Sequence, residues 1–236
     1  MKNLLLSFLL LILTSCATDW RTASKESANI SPKPDQLSES IVQVFVARTV
    51  KWRGYFAVHP WISWKLKEDD QYTVTQVIGW RTRRGLPAVV TMTDLPDRHW
   101  FGSKPELIYE IRGDQATKAI EKMKAIIPSY PFANDYRAWP GPNSNTYIAH
   151  LIRETEELTV ELPPHAIGKD MLVDSYFFDK TASGTGFQFS IFGVLGLQLG
   201  LKEGVEVNLF GLNFGVDFWT PALKLPMIGR VGFTDQ

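Results

Sequence analysis

From Phe187 to Phe218 almost every second residue is large and apolar, and this period of two restricts the segment to β-structure. Phe187, Phe189, Leu195, Leu197 and Leu199 share one parity up to a turn at Lys202-Glu203-Gly204. On the return, Val205, Val207 and Leu209 keep one phase, while Phe210, Leu212, Phe214 and Val216 take the other. That shift predicts a bulge near Leu209 to Gly211. The segment reads as a β-hairpin extension that covers a core or lies on a bilayer. Gln188, Ser190 and Gln198 interrupt it too often for a membrane helix.

The preceding half mixes both periods. Ile41 to Arg48 is rich in β-branched residues and reads as a buried strand. Tyr55 to Leu66 alternates, with Phe56, Val58, Ile62 and Trp64 on one face and His59 on the mixed one. Pro60 cannot donate to a ladder, so a bulge or sheet edge is expected beside His59. An acidic turn at Glu68-Asp69-Asp70 leads into a strand from Tyr72 to Trp80. Leu86 to Met92 and Leu107 to Ile111 are shorter strand candidates, with Trp100-Phe101-Gly102 between them plugging the core. Asp114 opens a helix with apolar positions Ala116, Ala119, Ile120 and Met123, stopped by Pro128. A second helix follows Thr146 and runs to about Glu157. The fold class is therefore α+β, an antiparallel sheet packed on two or more helices. With 236 residues, 44% of them hydrophobic, one sizeable core is affordable.

The chain's start has its own composition. Lys2 precedes an apolar run, Leu4 to Leu13, too short to span a bilayer. Leu13-Thr14-Ser15-Cys16 closely resembles the lipobox of bacterial lipoproteins. The resemblance implies that residues 1–15 are a signal peptide, cleaved before a lipid-modified Cys16, the only cysteine. Several acyl chains on one residue would hold the protein stably on a membrane. Ala17, where an aspartate would signal retention, favours the periplasmic face of the outer membrane, with the inner membrane as the alternative. Residues 16–40 then form the anchor and a flexible tether, 41–162 the core domain, and 163–236 the β-rich extension. The 25 basic and 25 acidic residues balance, which gives no reason to expect nucleic acid as a partner. The basic turn Arg81-Thr82-Arg83-Arg84-Gly85 reads as a solvated tip.

Trp139-Pro140-Gly141-Pro142-Asn143-Ser144-Asn145-Thr146-Tyr147 is a rigid turn feeding a helix. Ser144 or Asn145 would cap it. A helix start carries partial positive charge and free N–H donors, so the Ser144 hydroxyl there is a candidate nucleophile.

Arg48 with Trp52-Arg53-Gly54, Phe56 to Trp61, Val77 to Arg81, Trp100-Phe101-Gly102, the 139–146 turn, Ala166 to Asp170, Ser183 to Gly186, Glu206 to Leu209 and Pro221 to Pro226 form a recognisable series. It resembles an uncharacterised domain-of-unknown-function family of proteobacterial lipoproteins. A second, weaker similarity is to circularly permuted papain-like proteins, the NlpC-type and lecithin retinol acyltransferase-like group. There a strand histidine precedes a cysteine at a helix N-terminus. His59 and Asn143-Ser144-Asn145-Thr146-Tyr147 match in order, with Ser144 in place of cysteine. The resemblance implies His59 as base; strand order makes Gln76, on the next strand, the candidate that orients it, and in a hydrolase the backbone N–H groups of the turn at Asn143 to Asn145 would hold the oxyanion.

Two functions follow as expectations. One is a lipid-anchored binding or structural protein with a degenerate papain-like groove. Trp52, Trp61, Trp64, Trp80 and Trp100 would supply an aromatic platform, and the ligand would be a cell-wall or lipid molecule. The other is a serine-dependent hydrolase or acyltransferase acting on amides or esters of cell-wall peptide or lipid. No cofactor is implied, and His59, His99, His150 and His165 show no metal-ligand spacing. Protein partners are not encoded in any motif.

Overall fold

Five antiparallel strands build the first sheet of the computed structural model, which describes residues 21–233. They are β1 (Ile41–Arg48), β2 (Val58–Lys65), β3 (Thr73–Val77), β4 (Val89–Thr93) and β5 (Glu106–Arg112), in the order β4-β3-β2-β1-β5. Residues 1–20, where the signal peptide and Cys16 anchor are expected, lie outside the described residues. β1 pairs with β2 along its whole length, Ile41 opposite Lys65 and Arg48 opposite Val58. The β2–β3 ladder is shorter, running only from Ile62–Thr75 to Trp64–Thr73. The irregularity expected beside His59 is thus a loss of pairing toward β3, where Pro60 has no N–H to offer.

Two α-helices cover one face. In α1 (Gly113–Ile126) Ala116, Ala119, Ile120 and Met123 are buried, the stripe predicted from their spacing. In α2 (Ser144–Glu154) the helix stops short of Glu157 because Thr155 is already extended. Val42, Val44, Ile62 and Trp64 from the sheet meet Ile120, Met123, Tyr147 and Leu151 in one continuous core. Burying each such side chain is worth about 1.5–3 kcal/mol.

The opposite face holds Phe45, Ala47, Trp61 and Val74. Its cover comes partly from residues 27–40, expected as a flexible tether. The Asp97 carboxylate accepts from the Ile30 and Ser31 N–H groups and from the Ser27 hydroxyl, at 2.5, 3.1 and 2.6 Å. Leu37 is buried beside Ile41 and Tyr72. A composition this polar still docks, because its backbone donors find a buried carboxylate.

A second sheet follows: β6 (Phe178–Lys180), β7 (Gly186–Ile191), β8 (Leu195–Gly200), β9 (Gly204–Leu209), β10 (Leu212–Asp217), β11 (Ala222–Leu225) and β12 (Gly229–Gly232). It is a seven-stranded antiparallel meander in sequence order, larger than the single hairpin expected. The phase shift at Leu209 to Gly211 is a tight turn between β9 and β10, not a bulge, since Leu209 pairs directly with Leu212. Phe210 and Gly211 both have positive φ, 56° and 82°, as a two-residue hairpin requires. An aromatic at the first turn position concealed the turn from the alternation pattern.

Candidate functional site

The 139–147 turn is locked by one side chain. Asn143, not Ser144 or Asn145, is the N-cap of α2. Its side-chain oxygen accepts from the Asn145 and Thr146 N–H groups at 2.9 and 3.2 Å. The Thr146 hydroxyl in turn accepts from the Asn143 N–H at 3.2 Å, completing a capping box. The Asn143 amide nitrogen donates to the Ala138 and Ile167 carbonyls at 3.1 and 2.9 Å. Gly168, at φ 100°, is required here, because a Cβ would collide with the Asn143 amide. The Asn145 N–H, expected near an oxyanion, is therefore taken by the cap. Asn145 instead donates its side-chain amide to the Val58 and Ile167 carbonyls, at 3.2 and 2.8 Å. That ties the start of α2 to the residue preceding His59.

Ser144 is the first residue of α2, and its hydroxyl makes no hydrogen bond among the described residues. His59 lies opposite Ala47 on β1, on the face away from α2. Its Nε2 stands 3.1 Å from Oε1 of Gln76. With that oxygen accepting, Nε2 carries the proton and Nδ1 the lone pair. Trp100 stacks on the imidazole at 3.7 Å between ring centroids. Trp100, expected with Phe101 to plug the core, packs against the Phe45–Trp61 cluster, and with Phe101 at its edge it also walls the His59 side chain.

Burial pushes the His59 pKa down to about 4, against a weaker opposing effect of the Gln76 hydrogen bond. The imidazole is neutral at pH 7. The unfolded chain takes up a proton near pH 6.5 that the folded one refuses until about 4. This contribution to stability is therefore complete above pH 6.5, is lost as pH falls toward 4, and changes no further below. It amounts to about 3 kcal/mol, at 1.36 kcal/mol per unit. An NMR titration should place the His59 ring-proton midpoint near 4; a midpoint near 6.5 would refute the buried placement.

His59 and Ser144 line one cleft of about 960 Å³. It opens at the end of the first sheet, where β1 and β3 stop and β2 begins. Trp80, Trp100, Phe101 and Tyr136 form its aromatic walls. Lys25, Lys51, Arg53, Arg83 and Arg84 also line it, and among the described residues no carboxylate does. These five cations are exposed and make no ion pair among the described residues. The basic turn at 81–85, read as a solvated tip, is thus part of the cleft rim, as a short 3-10 helix from Gly79 to Arg84. Of the five tryptophans expected as a platform, Trp61 and Trp64 are core residues and Trp52 is exposed.

The structure thus brings His59 and Gln76 into direct contact and sets Ser144 on the same cleft. It puts no hydrogen bond between Ser144 and His59. Charge balance over the whole chain concealed the basic lining, because its members come from residues 25, 51–53 and 83–84, far apart in sequence. His150, inside α2, packs with Nδ1 3.1 Å from Asp174. Among the described residues no group of three or more His, Cys, Asp or Glu is arranged to hold a metal ion.

No curated protein and no solved structure matches the chain. A family model described as "Protein of unknown function (DUF3750)" matches residues 39–171, which span β1 to the loop that locks Asn143. That match takes in more than half of the sequence, both helices and most of the cleft, and the chain belongs to this family.

Proposed function

We propose that the chain is a lipid-anchored envelope protein that binds an anionic ligand with an apolar or ring-bearing portion in the His59–Ser144 cleft. The observation that carries this reading is the lining: among the described residues, five cations without a carboxylate partner stand around four aromatic side chains, with Lys25 over the Phe101 ring and Arg53 over the exposed Trp52. Cations at the rim attract and orient negative groups, and aromatic walls take up the apolar remainder. The leader and Cys16 supply the envelope address as a sequence resemblance. A degenerate papain-like groove fits the order of His59, Gln76 and Ser144.

Titration with short-chain phosphatidylglycerol, below its micelle concentration, tests the reading through Trp80 and Trp100 fluorescence. Saturable quenching or enhancement is expected, and the R83E/R84E variant should bind at least tenfold more weakly, about 1.4 kcal/mol. Equal binding of short-chain phosphatidylcholine would remove the electrostatic basis. A muropeptide arm separates lipid from cell-wall ligands.

One observation favours a second reading, an acyl hydrolase or acyltransferase. Gln76 orients the His59 ring through Nε2, leaving Nδ1 as a base, and the Ser144 hydroxyl is unengaged at a helix start. The missing Ser144–His59 hydrogen bond ranks this reading second. Fluorophosphonate labelling lost in Ser144→Ala, and retained when the exposed Ser129 is replaced instead, would raise it to first.

A further inference from the structure

The second sheet carries its polar side inward. In β7 to β10 the inward positions that bear side chains are Gln188, Ser190, Gln198, Glu206, Asn208, Asn213 and Asp217, all buried. Every outward position of the same strands is Phe, Ile, Leu or Val, and β8 and β9 show it most fully, with Leu195, Leu197, Leu199, Val205, Val207 and Leu209 all exposed. Single exposed apolar residues need no explanation, but a contiguous face of them does.

The chemistry of the face selects its occupant. Protein interfaces carry about one hydrogen bond per 100–200 Å². The outward side chains of β7 to β10 offer no donor, acceptor or charge. Hydrocarbon is the medium that asks for none. The hairpin tips add a second observation. Phe192, Phe210 and Met227 have positive φ, 51°, 56° and 66°, in the three turns that join β7 to β8, β9 to β10 and β11 to β12. In a meander these three turns lie at one end. Asn or Gly suits such positions, and a bulky aromatic there is strained. Phe192 and Phe210 are nonetheless 62% and 67% exposed, and the ring that Phe192 meets edge-on, Phe177, is itself exposed, so burial in the fold does not offset the strain. Trp219 and Tyr176, amphipathic and exposed, stand at the margins. Strands of six residues reach about 20 Å, whereas crossing a bilayer takes about 9–11 residues, so the sheet lies on one leaflet.

We propose that the outward face of β7 to β10, with Phe192 and Phe210 as inserted tips, seats the protein on the interfacial layer of a lipid bilayer. This surface is separate from the cleft and needs no acyl chain.

The test uses residues 17–236, which lack the leader and Cys16 but keep every described residue, with folding verified by circular dichroism and thermal melting. Flotation is measured with neutral phosphatidylcholine vesicles, which give the cationic cleft no anionic partner. The protein is expected to float. F192N/F210N puts the residue favoured by each turn at its tip, so the melting temperature should hold or rise while vesicle partition falls at least tenfold. L197Q/V207Q should weaken partition at the centre of the face. R83E/R84E should leave it unchanged. A protein that stays in the aqueous fraction as a monomer overturns the proposal. So does a dimer that L197Q/V207Q converts to a monomer, which would make a second copy the occupant.

Discussion

Replacing Asp170 by alanine should destabilise the protein by about 3–5 kcal/mol, the largest effect of any single change considered. Asp170 is 1% exposed, and its carboxylate accepts from Gln198 and Asn208 at 2.6 Å each and from Asn213 at 2.9 Å. Those amides come from β8, β9 and β10, so one side chain of the family-matched region gathers three strands of the second sheet. Alanine would leave three donors buried without an acceptor, each costing about 1–3 kcal/mol, with partial relaxation reducing the sum. The neighbouring pair of Lys169 and Glu206 would feel the change as well. Burial works to lower the Lys169 pKa, but Glu206, Asp170 and Glu161 outweigh it and hold the ammonium above its usual range. Removing one of those carboxylates reduces that support. Urea unfolding of the wild type and Asp170→Ala measures the loss. A difference below about 1 kcal/mol would mean that the second sheet is held by something other than this cluster.

The second large effect is expected at Asn143. Alanine there should cost about 2–4 kcal/mol, because it removes both the helix cap and the two donors to Ala138 and Ile167. Serine separates the two roles. Its hydroxyl can cap α2 but cannot bridge both carbonyls, so Asn143→Ser should recover about 1 kcal/mol, the usual worth of a cap. Hydrogen exchange should report faster opening in the first turn of α2 for the alanine variant, and unchanged exchange in α1. Equal protection of α2 in wild type and Asn143→Ala would show that the cap is not what holds Ser144 on the cleft wall.

These two residues illustrate different degrees of legibility. The stretch around Asn143 was legible as a turn entering a helix, since prolines, glycine and Asn/Ser/Thr residues at such a junction have local meanings. Which of three adjacent polar residues caps was not, because the choice depends on Gly168 and Ile167 approaching from another loop. Asp170 gave no local signal of its role, as its partners lie between Gln198 and Asn213. The resemblance pointed to His59, and strand order alone pointed to Gln76 as its partner. The face on which His59 stands also followed from alternation. Its position opposite α2 did not, because the side of a sheet on which a later helix packs is a tertiary fact.

By itself the sequence determined the elements whose causes are local: the two-residue period of the strands, the buried stripe of α1, the stop at Pro128 and the turn before α2. It also determined that the outer strands of the second half alternate apolar with polar. Only the tertiary structure decided which side of that alternation would face inward. The buried Asp170, Lys169 and Arg153 and the half-buried Glu161 beneath the sheet supply partners for its polar side, so the apolar side is left outside. Period alone fixes which residues share a face, but the neighbours that satisfy hydrogen bonds fix which face is buried.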